Sequence, residues 1–322
     1  MIKIFHAQNE FAFKLLEQYL LPYEKYCCTL MQKILSHEKS IYFLGDMNIG
    51  DVLNISEAQN TSDTLHLTPS DFNKSHTSEI NTPTLSDIQK PLSLIHGVIF
   101  FEKGRTVFHC LPEHNSEIFD ALKFFFLNQA VSGIVGEKTG TLYLQSILQK
   151  AHCGKEVEVR DYYFMEASNI KLQKDNLVAE SSNKIILCTQ KDINSLMPLQ
   201  LAYIKEEVTP DSRKANDAAE GVLFEKLVKK NAVYGIKNNS EFISKAHISV
   251  SINNYFQIGG VYTVEQYRNH GLACSLVKEI AKKAALENKK AVLFVKQKNS
   301  SALHSYQKAG FVKTGEYRIV YY

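Results

Sequence analysis

The chain has 322 residues, which at ~100–200 residues per domain argues for two domains. A hydrophobic share of 44% is enough to bury a core, while a formal net charge of +3 is too small to argue for a nucleic-acid partner. No apolar run reaches the ~20 residues of a membrane span, and none of the six cysteines has a Cys-x-x-Cys partner or a histidine at ligand spacing, so a cytoplasmic protein with reduced thiols, no metal site and no membrane partner is expected.

Phe11, Leu15, Leu16, Tyr19, Leu20, Tyr23, Tyr26, Leu30 and Ile34 recur at helical spacing, and Pro22 predicts a break between two helical segments. Ile41 to Gly45 reads as a strand. Residues 54–90 are rich in Ser, Thr, Asn and Asp, with Pro69 and Pro83, and read as a polar insertion. Order resumes with a strand over Ser93 to Phe101, a turn at Gly104-Arg105 and a return strand over Thr106 to Leu111. A helix from Asn115 or Ser116, a strand over Val131 to Gly136, a helix over Thr141 to Lys150 and a strand over Val157 to Met165 complete an α/β domain of residues 1–167. Residues 168–183 lack an amphipathic stripe and read as the linker.

The second domain, 184–322, opens with a strand at Lys184 to Thr189. Asp192 is placed to cap a helix through Leu196, Leu199, Tyr203 and Ile204, and Ala218 to Lys230 is a second helix with Val222, Leu223, Leu227 and Val228 on one face. Three strands follow, Ala232 to Ile236, Phe242 to Ser251 and Tyr255 to Thr263, with turns at Asn238-Asn239 and Asn253-Asn254.

The stretch that follows carries chemistry. After the strand ending at Thr263 comes a short polar turn, then Arg268-Asn269-His270-Gly271-Leu272-Ala273, then Leu276, Val277, Ile280 and Ala284 at helical spacing. A strand, a glycine-containing loop and a helix start make an anion site. Free amides at a helix N-terminus point outward, and the helix dipole adds partial positive charge. Gly271 and Ala273 carry no side chain bulky enough to keep a pyrophosphate from those amides. Downstream, Ala291 to Val295 reads as a strand, followed by Asn299-Ser300-Ser301-Ala302-Leu303-His304-Ser305-Tyr306-Gln307-Lys308-Ala309-Gly310-Phe311.

Arg268-x-x-Gly271-x-Ala273 after a strand resembles the Arg/Gln-x-x-Gly-x-Gly/Ala signature of the GNAT family of N-acetyltransferases, and the segment from Asn299 to Phe311 is similar to the family's second motif. The resemblance covers roughly Lys184 to Tyr322. It implies a mixed, mostly antiparallel central sheet flanked by helices, and transfer of an acetyl group from acetyl-coenzyme A to a primary amine of a small molecule or peptide. It further implies that backbone groups of Val261, Tyr262 and Thr263 face the pantetheine, and that the amides from Arg268 through Asn269, His270, Gly271 and Leu272 to Ala273 bind the pyrophosphate. Cys274 falls where a small helix residue contacts it. Ala302 and Asn299 fall on the cofactor side of the second motif, where Asn299 either bonds the pantetheine arm or caps the helix. Tyr306 falls at the position of the phenol that contacts the cofactor and protonates the leaving thiolate.

No residue stands out as the general base. Glu206, Glu207 and Glu265 read as solvated surface carboxylates, His270 as a donor or exposed side chain, and His247 and His304 as structural. The order of elements in the first half repeats that of the second, which predicts a degenerate GNAT-like copy in tandem. There, Leu111-Pro112-Glu113-His114-Asn115 replaces the phosphate loop; it lacks a glycine, and Glu113 has the wrong sign for an anion. The rival reading is a non-catalytic acyl-coenzyme A sensor or scaffold.

Overall fold

A computed structural model describes residues 1–53, 91–102, 105–127, 129–151, 154–168, 184–210 and 216–322. The expected insertion, the glycine of the turn at 104 and residues 169–183 of the expected linker lie outside them. Residues 1–159 with 318–322 form one unit, and residues 160–317 the other.

Unit one runs β1 (Ile2–His6), α1 (Glu10–Leu20), α2 (Cys28–Leu35), β2 (Ile41–Asp46), α3 (Ile49–Leu53), β3 (Ile95–Glu102), β4 (Thr106–Cys110), α4 (Ser116–Phe126), β5 (Gly133–Glu137) and α5 (Lys138–Lys150). Pro22 sits in the first turn of a 3-10 segment, Leu21–Tyr26, which separates α1 from α2 as expected of a residue without an N–H. Strands β1 to β4 pair antiparallel in sequence order, and β5 joins β4 in parallel. Phe101, Leu122, Phe126 and Ile134 lie in the core between this sheet and α4 and α5. Beyond β5 the sheet is completed by residues 318–322, where the Tyr322 N–H donates to the Ser132 carbonyl at 3.1 Å.

Unit two contains β6 (Glu158–Ala167, from Arg160 onward), β7 (Ile185–Leu187), α6 (Ile193–Tyr203), α7 (Asp217–Lys229), β8 (Val233–Asn238), β9 (Glu241–Ser251), β10 (Tyr255–Thr263), α8 (Leu272–Leu286), β11 (Lys290–Lys296), α9 (Ser300–Lys308) and β12 (Phe311–Tyr321, up to Tyr317). Its strands β7 to β10 pair antiparallel in sequence order and β11 joins β10 in parallel, the same senses as β1 to β5. β6 covers the free side of β11, with Val292 opposite Glu166 and Lys296 opposite Tyr162. This is the mixed, mostly antiparallel sheet flanked by helices that the sequence predicts.

The core of unit two follows from periodicity. Leu272, Leu276, Val277, Ile280, Ala281 and Ala284 form one stripe of α8, all buried against Ile248, Ile258 and Leu293. Full burial of each large aliphatic side chain stabilises the fold by ~1.5–3 kcal/mol. The helix stops at Asn288, whose φ of +56° is left-handed, with the Lys289 N–H returned to the Ala284 carbonyl at 2.8 Å.

Two local expectations are corrected. The Asp192 side chain caps no amide of α6. It turns back to accept the N–H and hydroxyl of Thr189, both at 3.0 Å, and pairs with Lys237 at 3.1 Å, so the capping box belongs to the preceding 3-10 turn. On α7 the buried face is Phe224 and Val228, whereas Val222 and Leu223 are 55% and 50% exposed. Phe224 sets the helix rotation because it is the largest apolar group on α7 and fills the space beneath Leu196 and Phe242.

Candidate active site

The centre of unit two is a parting of strands. β10 and β11 pair over four residues only, Tyr255 to Ile258 against Lys290 to Leu293. β11 continues to Lys296 on β6, and β10 continues to Thr263 on β9. In that second half β10 carries a bulge: Gly259 lies opposite His247 and Tyr262 opposite Lys245, three steps against two. Gly260, at φ +59°, is the residue that makes the bulge possible, since a side chain there would be strained and would overlap the His247 ring.

Side chains take up the carbonyls of this irregular segment. Lys245 Nζ donates to the Gly260 oxygen at 2.9 Å, Ser244 Oγ to the Tyr262 oxygen at 3.0 Å, and Arg268 Nε to the Thr263 oxygen at 3.1 Å. Lys245 and His247 are 0% and 6% exposed. Burial lowers the Lys245 pKa to about 7, and burial, reinforced by Lys245, lowers that of His247 to about 3.

The chain then makes a 3-10 turn, Glu265–Tyr267, and enters the loop. Asn269 and Gly271 have φ of +67° and +76°, and Gly271 is the N-cap of α8 with no side-chain cap. A methyl group at Gly271 would meet nothing within 4 Å. The first helical bond joins the Ser275 N–H to the Gly271 carbonyl at 3.0 Å, so the amides of Leu272, Ala273 and Cys274 precede the α8 ladder. Asn269, His270 and Gly271 are exposed, and the His270 ring bonds the Arg268 carbonyl through Nδ1 at 2.8 Å. Cys274 is half-buried; burial raises its thiol pKa, and the nearby ammoniums of Lys278 and Lys308 pull the other way.

The second motif lies beside the same core. Val261, Cys274 and Ala302 pack, partly buried, against the cluster that contains Tyr306. Asn299 caps α9 by accepting the Ala302 N–H at 3.0 Å. Tyr306 is 7% exposed, and burial, with Tyr203 and Glu207 nearby, pushes its phenol far above the ordinary value.

What sequence reasoning missed is the setting of the end of α6, including Arg160. There a π-turn, Ile204–Val208, is closed by the Thr209 N–H on the Ile204 carbonyl at 2.8 Å. Arg160 holds its end, donating to the carbonyls of Glu207, Val208 and Thr209 at 3.0, 2.9 and 2.9 Å. The turn presents both glutamates to cations: Glu206 to Arg268 and Glu207 to Lys296, each at 2.8 Å. Asn299 Nδ2 also reaches Glu207 at 3.5 Å. Glu207 is therefore half-buried in an ion pair rather than free in solvent, a correction to the sequence reading.

Unit one has side-chain contacts of its own at the start of α4 and past the β4–β5 pairing. Its α4 start is capped by Asn115, which accepts the Ile118 N–H at 2.9 Å, and Glu113 pairs with His96 at 2.9 Å. Past the last β4–β5 pair, Phe108 with Val135, the buried His109 ring packs on Gly136 and Gly140 and bonds Thr141 at 2.9 Å.

Residues 234–320 match the family model described as FR47-like protein. A GCN5-related N-acetyltransferase from Sphaerobacter thermophilus is similar over 99% of this chain and 94% of its own, at 9% identity and a TM-score of 0.54. An acetyltransferase of the GNAT family from Colwellia psychrerythraea is 12% identical over 70% of this chain and 81% of its own, at a TM-score of 0.50. The C-terminal half has the fold of GNAT acetyltransferases. A Drosophila protein of solved structure is 13% identical over 70% of this chain and 73% of its own, at a TM-score of 0.51. At such identities these likenesses speak for the fold alone, and no curated protein matches the sequence. Among the described residues, no group of three or more His, Cys, Asp or Glu is placed to hold a metal, and no helix is long and apolar enough to cross a membrane.

Proposed function

We propose that unit two is an N-acetyltransferase that moves an acetyl group from acetyl-coenzyme A to a primary amine of a small molecule or peptide. The observation that carries this reading is the parting of β10 from β11 beyond Ile258 and Leu293, with the uncapped start of α8 at one end and Tyr306 among the residues packed behind it. The site fits the cofactor on two counts. Open space at Gly271 leaves the loop amides approachable, and the bulged end of β10 has no β11 partner.

Bound acetyl-coenzyme A supplies the activated thioester. The amides from Asn269 to Ala273 serve its pyrophosphate, as main-chain donors at a helix start do for anions, whereas the Arg268 N–H, expected among them, is taken by the Glu265 carbonyl at 3.1 Å. Val261, in the bulge, offers its backbone groups to the pantetheine and acyl oxygen, a preorganised polar surface of the kind that stabilises developing negative charge, while the carbonyls of Tyr262 and Thr263 are engaged by Ser244 and Arg268. Tyr306 keeps its proton at neutral pH because burial disfavours the phenolate, and it is the donor for the departing sulfur. Glu206 and Glu207 are both committed to cations, which supports acceptance of an amine that arrives neutral or loses its proton to water. We extend the tandem reading to unit one as a degenerate copy, supported by the identical order and sense of its strand pairs, with His109 and Asn115 filling the places that stay open in unit two.

The test is thiol release from acetyl-coenzyme A by the purified full-length protein against a panel of primary amines, with acetylated product identified by mass. Amine-dependent release supports the transferase. Acetyl-coenzyme A binding by calorimetry with no release for any amine makes the protein a binding module instead.

A further inference from the structure

Lys245 has no place in the chemistry above, yet its setting asks for an explanation. A lysine with no exposed surface lies in a mostly buried strand, with its Nζ 4.8 Å from the Tyr203 ring centre and 5.5 Å from that of Phe224. Removing an amine from water is expensive unless a partner compensates it. Lys245 has one hydrogen-bond acceptor, the Gly260 carbonyl at 2.9 Å. That carbonyl belongs to the bulge, where the regular ladder is interrupted and a buried oxygen needs a donor from elsewhere.

The contact fixes a direction. In a trans peptide the carbonyl and the following N–H point opposite ways. Holding the Gly260 oxygen toward the buried amine turns the Val261 N–H away from it. A side chain on Gly260 would meet the His247 ring, so the segment is packed closely by side chains of β9 as well as bonded by Lys245. Ser244 makes a third contact two residues on, at the Tyr262 carbonyl.

We propose that Lys245 is a positioning residue for acyl transfer, which locks the Gly260–Val261 peptide plane from beneath and so fixes the direction in which the Val261 N–H is offered to the acyl oxygen. This rests on the transferase reading for its consequence, but not for the lock itself. Lys245 is walled off by Tyr203 and Phe224 and touches no reacting atom. Its effect passes through Gly260.

Two full-length variants and two readouts test it. Lys245→Met keeps the aliphatic stem and removes the donor, and Lys245→Gln keeps a shorter donor should the first fail to fold. Hydrogen exchange of the amides at 259–263 reads the lock without any substrate. At least a tenfold faster exchange in either folded variant is expected, and unchanged exchange overturns the lock. The kinetic readout is the split between kcat and KM. Removing an oxyanion donor outright lowers kcat by ~10²–10³, so misdirecting one is expected to lower it by roughly 10–10². KM for acetyl-coenzyme A, governed by the α8 loop, is expected to stay within about threefold of wild type. A kcat within twofold of wild type overturns the positioning role. If wild type itself shows no amine-dependent turnover, the transferase reading and the positioning role fall together, while the exchange result still decides the lock.

Discussion

The guanidinium of Arg268 holds the carboxylate of Glu206 at 2.8 Å while its Nε holds the carbonyl of Thr263 at 3.1 Å. Arg268 is thus a brace between the end of β10 and the π-turn. Its Cζ also lies 5.7 Å from the Tyr262 ring centre. Arg268→Ala is expected to weaken acetyl-coenzyme A binding about tenfold by releasing the loop. Thermal stability should change little, because an exposed ion pair is worth ~0–1 kcal/mol. Lysine should not restore binding, since it lacks the fork that serves both acceptors. Calorimetry on the two variants checks this; full affinity in Arg268→Ala would show that the loop keeps its shape unaided.

At Gly271 two substitutions separate backbone strain from blockage. Both carry a left-handed penalty of ~1–2 kcal/mol, since φ is +76°. Gly271→Ala is expected to weaken binding modestly. Gly271→Glu is expected to abolish it in a folded protein, because the side chain enters the open space and its charge opposes the pyrophosphate. Equal affinities for the two would remove the cofactor from this loop.

Tyr306→Phe keeps the ring that packs behind the site and removes the hydroxyl. Single-turnover rates are expected to drop by ~10²–10⁴, with cofactor affinity held. Matching single-turnover rates would leave Tyr306 a packing residue.

Acid stability should expose the two buried histidines. His109 and His247 are each held by burial at a pKa of about 3, against 6.5 for the free side chain. Between those values the unfolded chain binds more protons than the folded one. Their contribution is therefore fully present above pH 6.5 and is lost as pH falls toward 3. Melting temperature is expected to decline steadily over that window, and His109→Gln to flatten the decline. An unaltered profile in that variant would mean that His109 is not buried neutral.

A fragment of residues 184–322 is expected to aggregate or stay unfolded, because it lacks the strand that pairs with β11 from Val292 to Lys296. Starting the fragment before Arg160 restores that strand, and with it soluble, cofactor-binding protein, as judged by gel filtration and calorimetry. A well-folded 184–322 fragment would show β6 to be dispensable.

Much of this was legible beforehand, for physical reasons. The α8 stripe, the Pro22 break and the Asn turns are set by local chemistry. The loop before α8 is local as well, a glycine between a strand and a helix. What escaped reading depends on residues distant in sequence. Nothing near Arg160 indicates that it caps a turn 47 positions away, and Glu206 and Glu207 look like any charged helix end until Arg268 and Lys296 arrive beside them. Lys245 stands within the predicted strand Phe242 to Ser251 with nothing local to mark it, since its reason is the bulge at Gly260, which pairing alone creates. Val222 and Leu223 misled because hydrophobicity by itself does not say which face a larger neighbour, Phe224, will claim.

The completion of unit one by residues 318–322 has a consequence for the making of the protein. Once β5 ends at Glu137, the ribosome must translate through to Arg318 before that edge of the sheet can acquire its partner. At ~5–20 residues per second this leaves an unpaired strand edge for on the order of ten seconds or more, long beside the microseconds in which hairpins form. The first unit to emerge is thus among the last to be finished, and it spends that interval as a template for unwanted pairing.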